Sequence, residues 1–240
     1  MKDYTMRWIV LAIGLSAATS LHAADRLLGP DLPGTPPLMR PAAPEVETPG
    51  PDTARPNARN NRLPRARWEQ RRNGDLWTRV ALAAAKANGL VDVVPEDITA
   101  WCPAYPNQTP ENRAAFWAAL ISAVARYEST WNERAISPNG RWHGLMQIQP
   151  STAEFRGCRA QTGQALRVGT ANVSCAARIM SVTVPRDNAI SLKGDRRWRG
   201  VAADWGPIRA TSKRRNMQRY TQRQTYCRLL ADVRPKQRPG

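Results

Sequence analysis

The chain has 240 residues, with 36 Lys and Arg against 19 Asp and Glu, for a formal net charge of +17. That length fits one domain with tails, and the charge draws the protein toward anionic partners by attraction that salt weakens. Four cysteines without a Cys-x-x-Cys and only two histidines argue against a four-ligand zinc site, and no metal or cofactor is expected.

In chain order, Lys2 and Arg7 precede an apolar run from Trp8 to Leu15, and small residues lead into Leu21-His22-Ala23-Ala24. This is the pattern of a secretory signal peptide over residues 1–23. The run is shorter than the roughly 20 residues that span a bilayer, and no Cys near the cut offers a lipid anchor, so no stable membrane anchor is expected. A retained N-terminal anchor is the competing reading. Export places the protein in the periplasm or cell envelope, excludes nucleic acid as the default partner and leaves an acidic wall polymer. Disulfides are favoured in that compartment. The preferred pairs are Cys158–Cys175, a local staple, and Cys102–Cys227, joining the domain's ends; three connectivities remain open.

Ten of the twenty prolines lie between Asp25 and Pro64, and seven arginines from Arg55 to Arg72 are opposed only by Glu69. Residues 24–74 are therefore expected to be a disordered, basic Pro/Arg-rich linker, too poor in apolar surface to offset its ordering entropy. It either grips the anionic wall or is a solvated spacer.

A folded domain is expected over residues 75–233, with a basic tail at 234–240. Asp75 can cap a helix from Leu76 to Asn88 that Gly89 stops. Thr109-Pro110-Glu111 reads as cap, first-turn proline and early acid. Phe116, Ala119, Leu120, Ala123, Val124 and Tyr127 then recur at helical spacing, which predicts a central core helix. A turn follows at Ser137-Pro138-Asn139-Gly140, and a short helix begins near Pro150. A helix capped by Asn172 should end before Pro185, and residues 186–200 should form a loop. Further helical stretches fit 201–209 and 214–230. The class is mainly α, a single domain with at most a small hairpin around 136–148.

Glu128 falls at the end of the central helix, on the side of Trp117, Ile121 and Val124. A carboxyl group beside an apolar wall is desolvated and its pKa rises, as a general acid near neutral pH requires. Glu128-Ser129 is followed by Trp131, Asn132 and Ser137, then by Gly144-Leu145-Met146-Gln147-Ile148-Gln149-Pro150, and later by Asn172-Val173-Ser174-Cys175-Ala176-Ala177. This ordered set resembles the soluble lytic transglycosylase (SLT) family over roughly residues 110–210.

The resemblance implies a lysozyme-like fold and action on peptidoglycan glycan strands. It makes Glu128 the single acid/base, which protonates the bond between N-acetylmuramic acid and N-acetylglucosamine. Glu128 then acts as base while the muramic acid's own 6-hydroxyl closes a 1,6-anhydro ring. Such substrate assistance departs from the two-carboxylate pattern. Ser137 and Gln147 are implied as hydrogen-bonding partners of the sugar. Which role such an enzyme serves, wall turnover or a cell-envelope machine as partner, is left open.

The chain also departs from the family. Gln149 stands where many members have Met, and one residue is inserted between Gly140 and Gly144. The family's third motif is replaced by Ala202-Ala203-Asp204-Trp205-Gly206-Pro207, so its supporting Tyr falls on Ala203. Trp205 is a candidate to stack on a sugar face, or else a core residue. Tyr220, ahead of Tyr226, is the candidate to supply the missing hydroxyl. Asp204 is a candidate second carboxylate, which would make the enzyme a hydrolytic muramidase. A non-catalytic peptidoglycan-binding or scaffold protein with a lysozyme-like cleft is the other alternative. A Ser-His-Asp hydrolase would have to use His143 and lacks a nucleophile motif.

Overall fold

The computed structural model describes residues 63–229. The expected signal peptide, most of the linker and the basic tail lie outside the described residues.

Six α-helices and several single 3-10 turns make up the described chain: α1 Gly74–Ala87, α2 Pro110–Ser129, α3 Pro150–Phe155, α4 Gly169–Asp187, α5 Val201–Asp204 and α6 Thr211–Gln222. Among the described residues there is no β-strand. The hairpin expected at 136–148 is reduced to the isolated bridges Ile136–His143 and His143–Ile148.

Helix α2 is the axis of the fold. Thr109 caps it by accepting from the Asn112 N–H at 3.4 Å, and Pro110 occupies the first turn, where its missing N–H costs nothing. Every residue from Ala114 to Ala125 is buried, so the helix is wrapped on all sides rather than along one stripe. The alanines let α1 and α4 come close, and α1 packs against both α2 and α4. An aromatic cluster fills one end. Phe116 meets Tyr105 and Trp117 edge-on at 5.2 and 5.1 Å, and the Trp117 indole N–H donates to the Leu90 carbonyl at 3.0 Å. Burying each such ring contributes roughly 1.5–3 kcal/mol, before its ordering entropy is subtracted.

Two expected boundaries shift. Helix α4 begins at Gly169, which puts Asn172 inside it, and continues through Pro185 to Asp187. A proline is tolerated there because only the final turn loses a donor, and Asn188 stops the helix in the left-handed region at φ +47°. At the C-terminus, α6 ends at Gln222 and a 3-10 turn at Thr225–Cys227 replaces the expected continuation to 230.

The linker expected through residue 74 is packed from Leu63 onward, which corrects that boundary. Ala66 and Trp68 are buried, and the Trp68 indole donates to Thr78 Oγ1 at 2.9 Å. Two of the arginines here, Arg67 and Arg71, have partners in the fold. Arg67 donates its backbone N–H to Ser122 Oγ at 3.0 Å and its Nη2 to the Asn216 carbonyl at 3.1 Å. The segment is thus a strap across α2 and α6.

Two disulfides, Cys158–Cys175 and Cys102–Cys227, join the preferred pairs, with sequence separations of 17 and 125. Among the described residues, no helix is long and apolar enough to cross a membrane.

Candidate active site

The end of α2 is abrupt. Thr130 and Trp131 both take positive φ, +52° and +60°, a conformation that costs energy for a bulky side chain and is held only by its surroundings. Trp131 is fixed by its indole N–H donating to the Ser122 carbonyl at 2.9 Å, with the guanidinium groups of Arg71 and Arg126 against its ring. Glu128 and Ser129 therefore sit in the last turn.

Ser129 ties that turn to the second motif by donating from Oγ to the Leu145 carbonyl at 2.9 Å. The next residue, Met146, is held twice. Its N–H donates to Asn172 Oδ1 at 2.8 Å, and its carbonyl accepts from the Trp205 indole at 3.0 Å. Asn172, fully buried, also donates Nδ2 to the His143 and Leu166 carbonyls, both at 2.9 Å. One amide thus satisfies three backbone groups and ties the motif loop to the Ala165–Arg167 turn. Gly144 is required at φ +76°, and a Cβ there would run into the Leu166 carbonyl and the Asn172 amide.

Glu128 is partly buried in this frame, and burial pushes its pKa up from an ordinary 4.5 to about 7, against a smaller opposing pull from the Lys213 ammonium. Among the described residues, no hydrogen-bond donor or paired cation occupies its carboxylate. It is therefore protonated over much of the neutral range, as a general acid must be.

The other expected site residues divide. Gln147 lies in the turn at φ +47°; its Nε2 donates to the Gly144 carbonyl at 2.9 Å and the Ala135 carbonyl at 3.3 Å, so its carbonyl oxygen is what it can offer a sugar. Ser137 organises the hairpin tip, donating to Asn139 Oδ1 at 2.8 Å and accepting from the Trp142 N–H at 3.0 Å. Trp205 is buried at 4% exposure, which corrects the sugar-stacking expectation: its indole N–H needs a buried acceptor and takes Met146. Tyr220 is not the missing support either. Its hydroxyl donates to the Arg65 carbonyl at 3.2 Å, and Arg67 covers its ring at 4.4 Å. Tyr226 donates to the Ala115 carbonyl at 3.0 Å.

The other carboxylates near the motifs have partners of their own. Asp204 lies 4.0 Å from Arg156 and interacts with Thr183. Glu133 accepts from Asn73 Nδ2 at 3.1 Å and from the Gly169 N–H at 3.0 Å, where its charge suits the start of α4. Among the described residues, no group of three or more His, Cys, Asp or Glu side chains is placed to hold a metal. A cavity of about 700 Å³ opens elsewhere, walled by Leu82, Lys86, Ala115 and Tyr226; Glu128 is not part of it.

Residues 106–222 match the family model for the transglycosylase SLT domain. Over that stretch the chain is similar to an SLT domain. Solved structures of the protein Bd0314 DslA share its fold. Its wild-type form 2 and one glutamate-to-glutamine mutant are each 28% identical, with a TM-score of 0.63, over 68% of this chain and 98% and 97% of theirs. A second such mutant is 26% identical, with a TM-score of 0.62, over 68% and 97%. No curated protein matches the chain. The SLT domain indicates a lytic-transglycosylase-like function with peptidoglycan as substrate. Of its motif residues, hydrogen bonds join Ser129 to Leu145 and Asn172 to Met146, and Glu128 stands one residue before Ser129.

Sequence reasoning missed the latch that Asn172 forms, taking it for a helix cap. An Asn among alanines and valines at helical spacing was the available signal, since such a buried amide must find partners.

Proposed function

We propose that the protein is an exported peptidoglycan lytic transglycosylase in which Glu128 alone serves as acid and then as base. The observation that carries this reading is a partly buried carboxyl group, its pKa pushed by burial up to about 7, one residue before the Ser129 that bonds the Leu145 carbonyl of the SLT-like motif. Protonated Glu128 gives its proton to the glycosidic oxygen as the bond to muramic acid C1 breaks. The leaving N-acetylglucosamine departs as an alcohol, and the sugar's N-acetyl group helps to bear the charge at C1. Glu128, now a carboxylate, takes the proton of the muramic acid 6-hydroxyl as that oxygen bonds to C1. The 1,6-anhydro ring closes without water, and Glu128 is again protonated. Gln147 Oε1 and the rigid turn orient the sugar. The position of Asp204, beside Arg156, speaks against it as a water-activating base.

Export is supported by the charged start and apolar run of residues 1–23 and by the two disulfides, which persist in oxidising compartments. Residues 24–62, Pro-rich and with five arginines balanced by five acidic residues, then serve as a spacer between the exported start and the domain.

The test is mass spectrometry of fragments released from purified peptidoglycan. Anhydro ends, one water lighter than hydrolysed ends, and their loss in Glu128→Gln are expected. Reducing ends would replace this reading by a muramidase. Binding without release would replace it by a scaffold.

A further inference from the structure

We propose that Lys213 is the positioning cation of the cleft, the counter-charge for the carboxylate that Glu128 becomes once it has given up its proton. The inference rests on the acid/base reading of Glu128 and deepens it.

The departure at Ala203 leaves the carboxyl group without a hydroxyl to support it, and the two tyrosines of the C-terminal region do not step in. Tyr220 is spent on the Arg65 carbonyl and Tyr226 on the Ala115 carbonyl. What α6 brings to the end of α2 instead is an ammonium group. Tyr127, next to Glu128, donates its hydroxyl to Asn216 Oδ1 at 2.9 Å, which fixes the register of α6 against α2. Lys213 lies three residues before Asn216, on the same face of α6. Its Nζ rests 5.5 Å from the centre of the Tyr127 ring, within cation–π reach. A cation at the C-terminal end of α2 is also favoured by the exposed carbonyls there.

The remaining neighbours of Glu128 leave this role to Lys213. The Gly144–Pro150 turn brings backbone and the Gln147 amide; the ring of His143, the titratable residue before it, lies against Gly163. On its own helix, Arg126 faces the rings of Tyr127 and Trp131. Asp204 and Glu133 have the partners described above. The through-space pull of Lys213 on Glu128 has the sign the role requires, opposing the effect of burial.

A cation differs from the hydroxyl it replaces. It favours the charged form of Glu128, so it eases proton donation and weakens the base that follows. The lysine thereby sets the balance between the two half-steps without touching the reacting atoms.

The test pairs Lys213→Met with Lys213→Arg in the whole protein, followed by carbon-13 NMR titration of the Glu128 carboxyl and by the pH profile of peptidoglycan cleavage. Lys213→Met should move the midpoint up by about half a pH unit or more, as loss of a nearby opposite charge does. Lys213→Arg should restore it, and the alkaline limb of the activity profile should follow both. Lys213 is exposed, so neither change should disturb folding, which near-UV circular dichroism checks. An unmoved midpoint in Lys213→Met overturns the inference whatever the activity does. A midpoint that moves, together with a Glu128→Gln variant as active as wild type, overturns the acid/base reading and the catalytic use of Lys213 with it, leaving only the electrostatic pair.

Discussion

Replacing Glu128 with Gln should make the protein more stable above neutral pH and leave its stability in acid unchanged. The folded-state pKa of about 7 stands above the ordinary value of 4.5, so the folded protein holds this proton more tightly than the unfolded chain. Stability from that proton is complete below the unfolded value and is lost as pH rises through the folded one. A difference of about 2.5 units is worth about 3 kcal/mol at about 1.4 kcal/mol per unit, an upper bound for a side chain that solvent partly reaches. Gln keeps the shape and carries no charge, so above neutral pH it escapes that penalty. For a domain of this size, about 3 kcal/mol corresponds to roughly 6–12 °C in Tm. Urea unfolding of both proteins from about pH 4 to about pH 8 measures it: the curves should meet in acid, separate between the unfolded value of 4.5 and the folded value of about 7, and keep a constant gap above that. A gap of constant size at every pH, or a wild type more stable than Glu128→Gln at about pH 8, would refute the argument that Glu128 is desolvated.

The same titration governs catalysis: cleavage should fall as pH rises through about 7, because the acid is then already deprotonated, and a pH series of product release reads it. Asn172→Ala should cost about 2 kcal/mol or more in chemical denaturation, since it strips the partner from the buried Met146 N–H and Leu166 carbonyl and leaves the His143 carbonyl with the Ile148 N–H alone, and cleavage should drop as the turn loosens. Gly144→Ala should also destabilise by more than about 1 kcal/mol, through positive φ and the clash with Leu166 and Asn172; wild-type stability in that variant would contradict the geometry. Opening Cys102–Cys227 with paired alanines should cost roughly 5 kcal/mol against roughly 3 kcal/mol for Cys158–Cys175, as the longer loop restrains the unfolded chain more.

The helices and the two motifs were legible because they rest on local signals. Thr109-Pro110-Glu111 marks the start of α2, and Glu128 inherits its place from the stripe running through Phe116 and Val124. What escaped depends on partners distant in sequence. Trp205 could be a sugar platform or a core residue until the Met146 carbonyl, 59 residues away, is found accepting from its indole N–H. Tyr220 looks like a spare hydroxyl until Arg65, 155 residues away, takes it. The arginines of the N-terminal strap looked like part of a disordered linker, because nothing local announces that Trp131 and Tyr220 will offer ring faces to Arg71 and Arg67. Lys213 carries no motif at all; its relation to Glu128 exists only once α6 is laid against α2.

The Cys102–Cys227 bond has a topological consequence. The matched SLT segment runs from 106 to 222, and the bond closes just outside both of its ends. Covalently, the matched segment lies within a ring rather than on an interval of thread. A protease that nicks an exposed bend, such as the one beside Gly140, opens the ring without detaching either part. A fragment trimmed to the matched segment would discard the clasp that closes it.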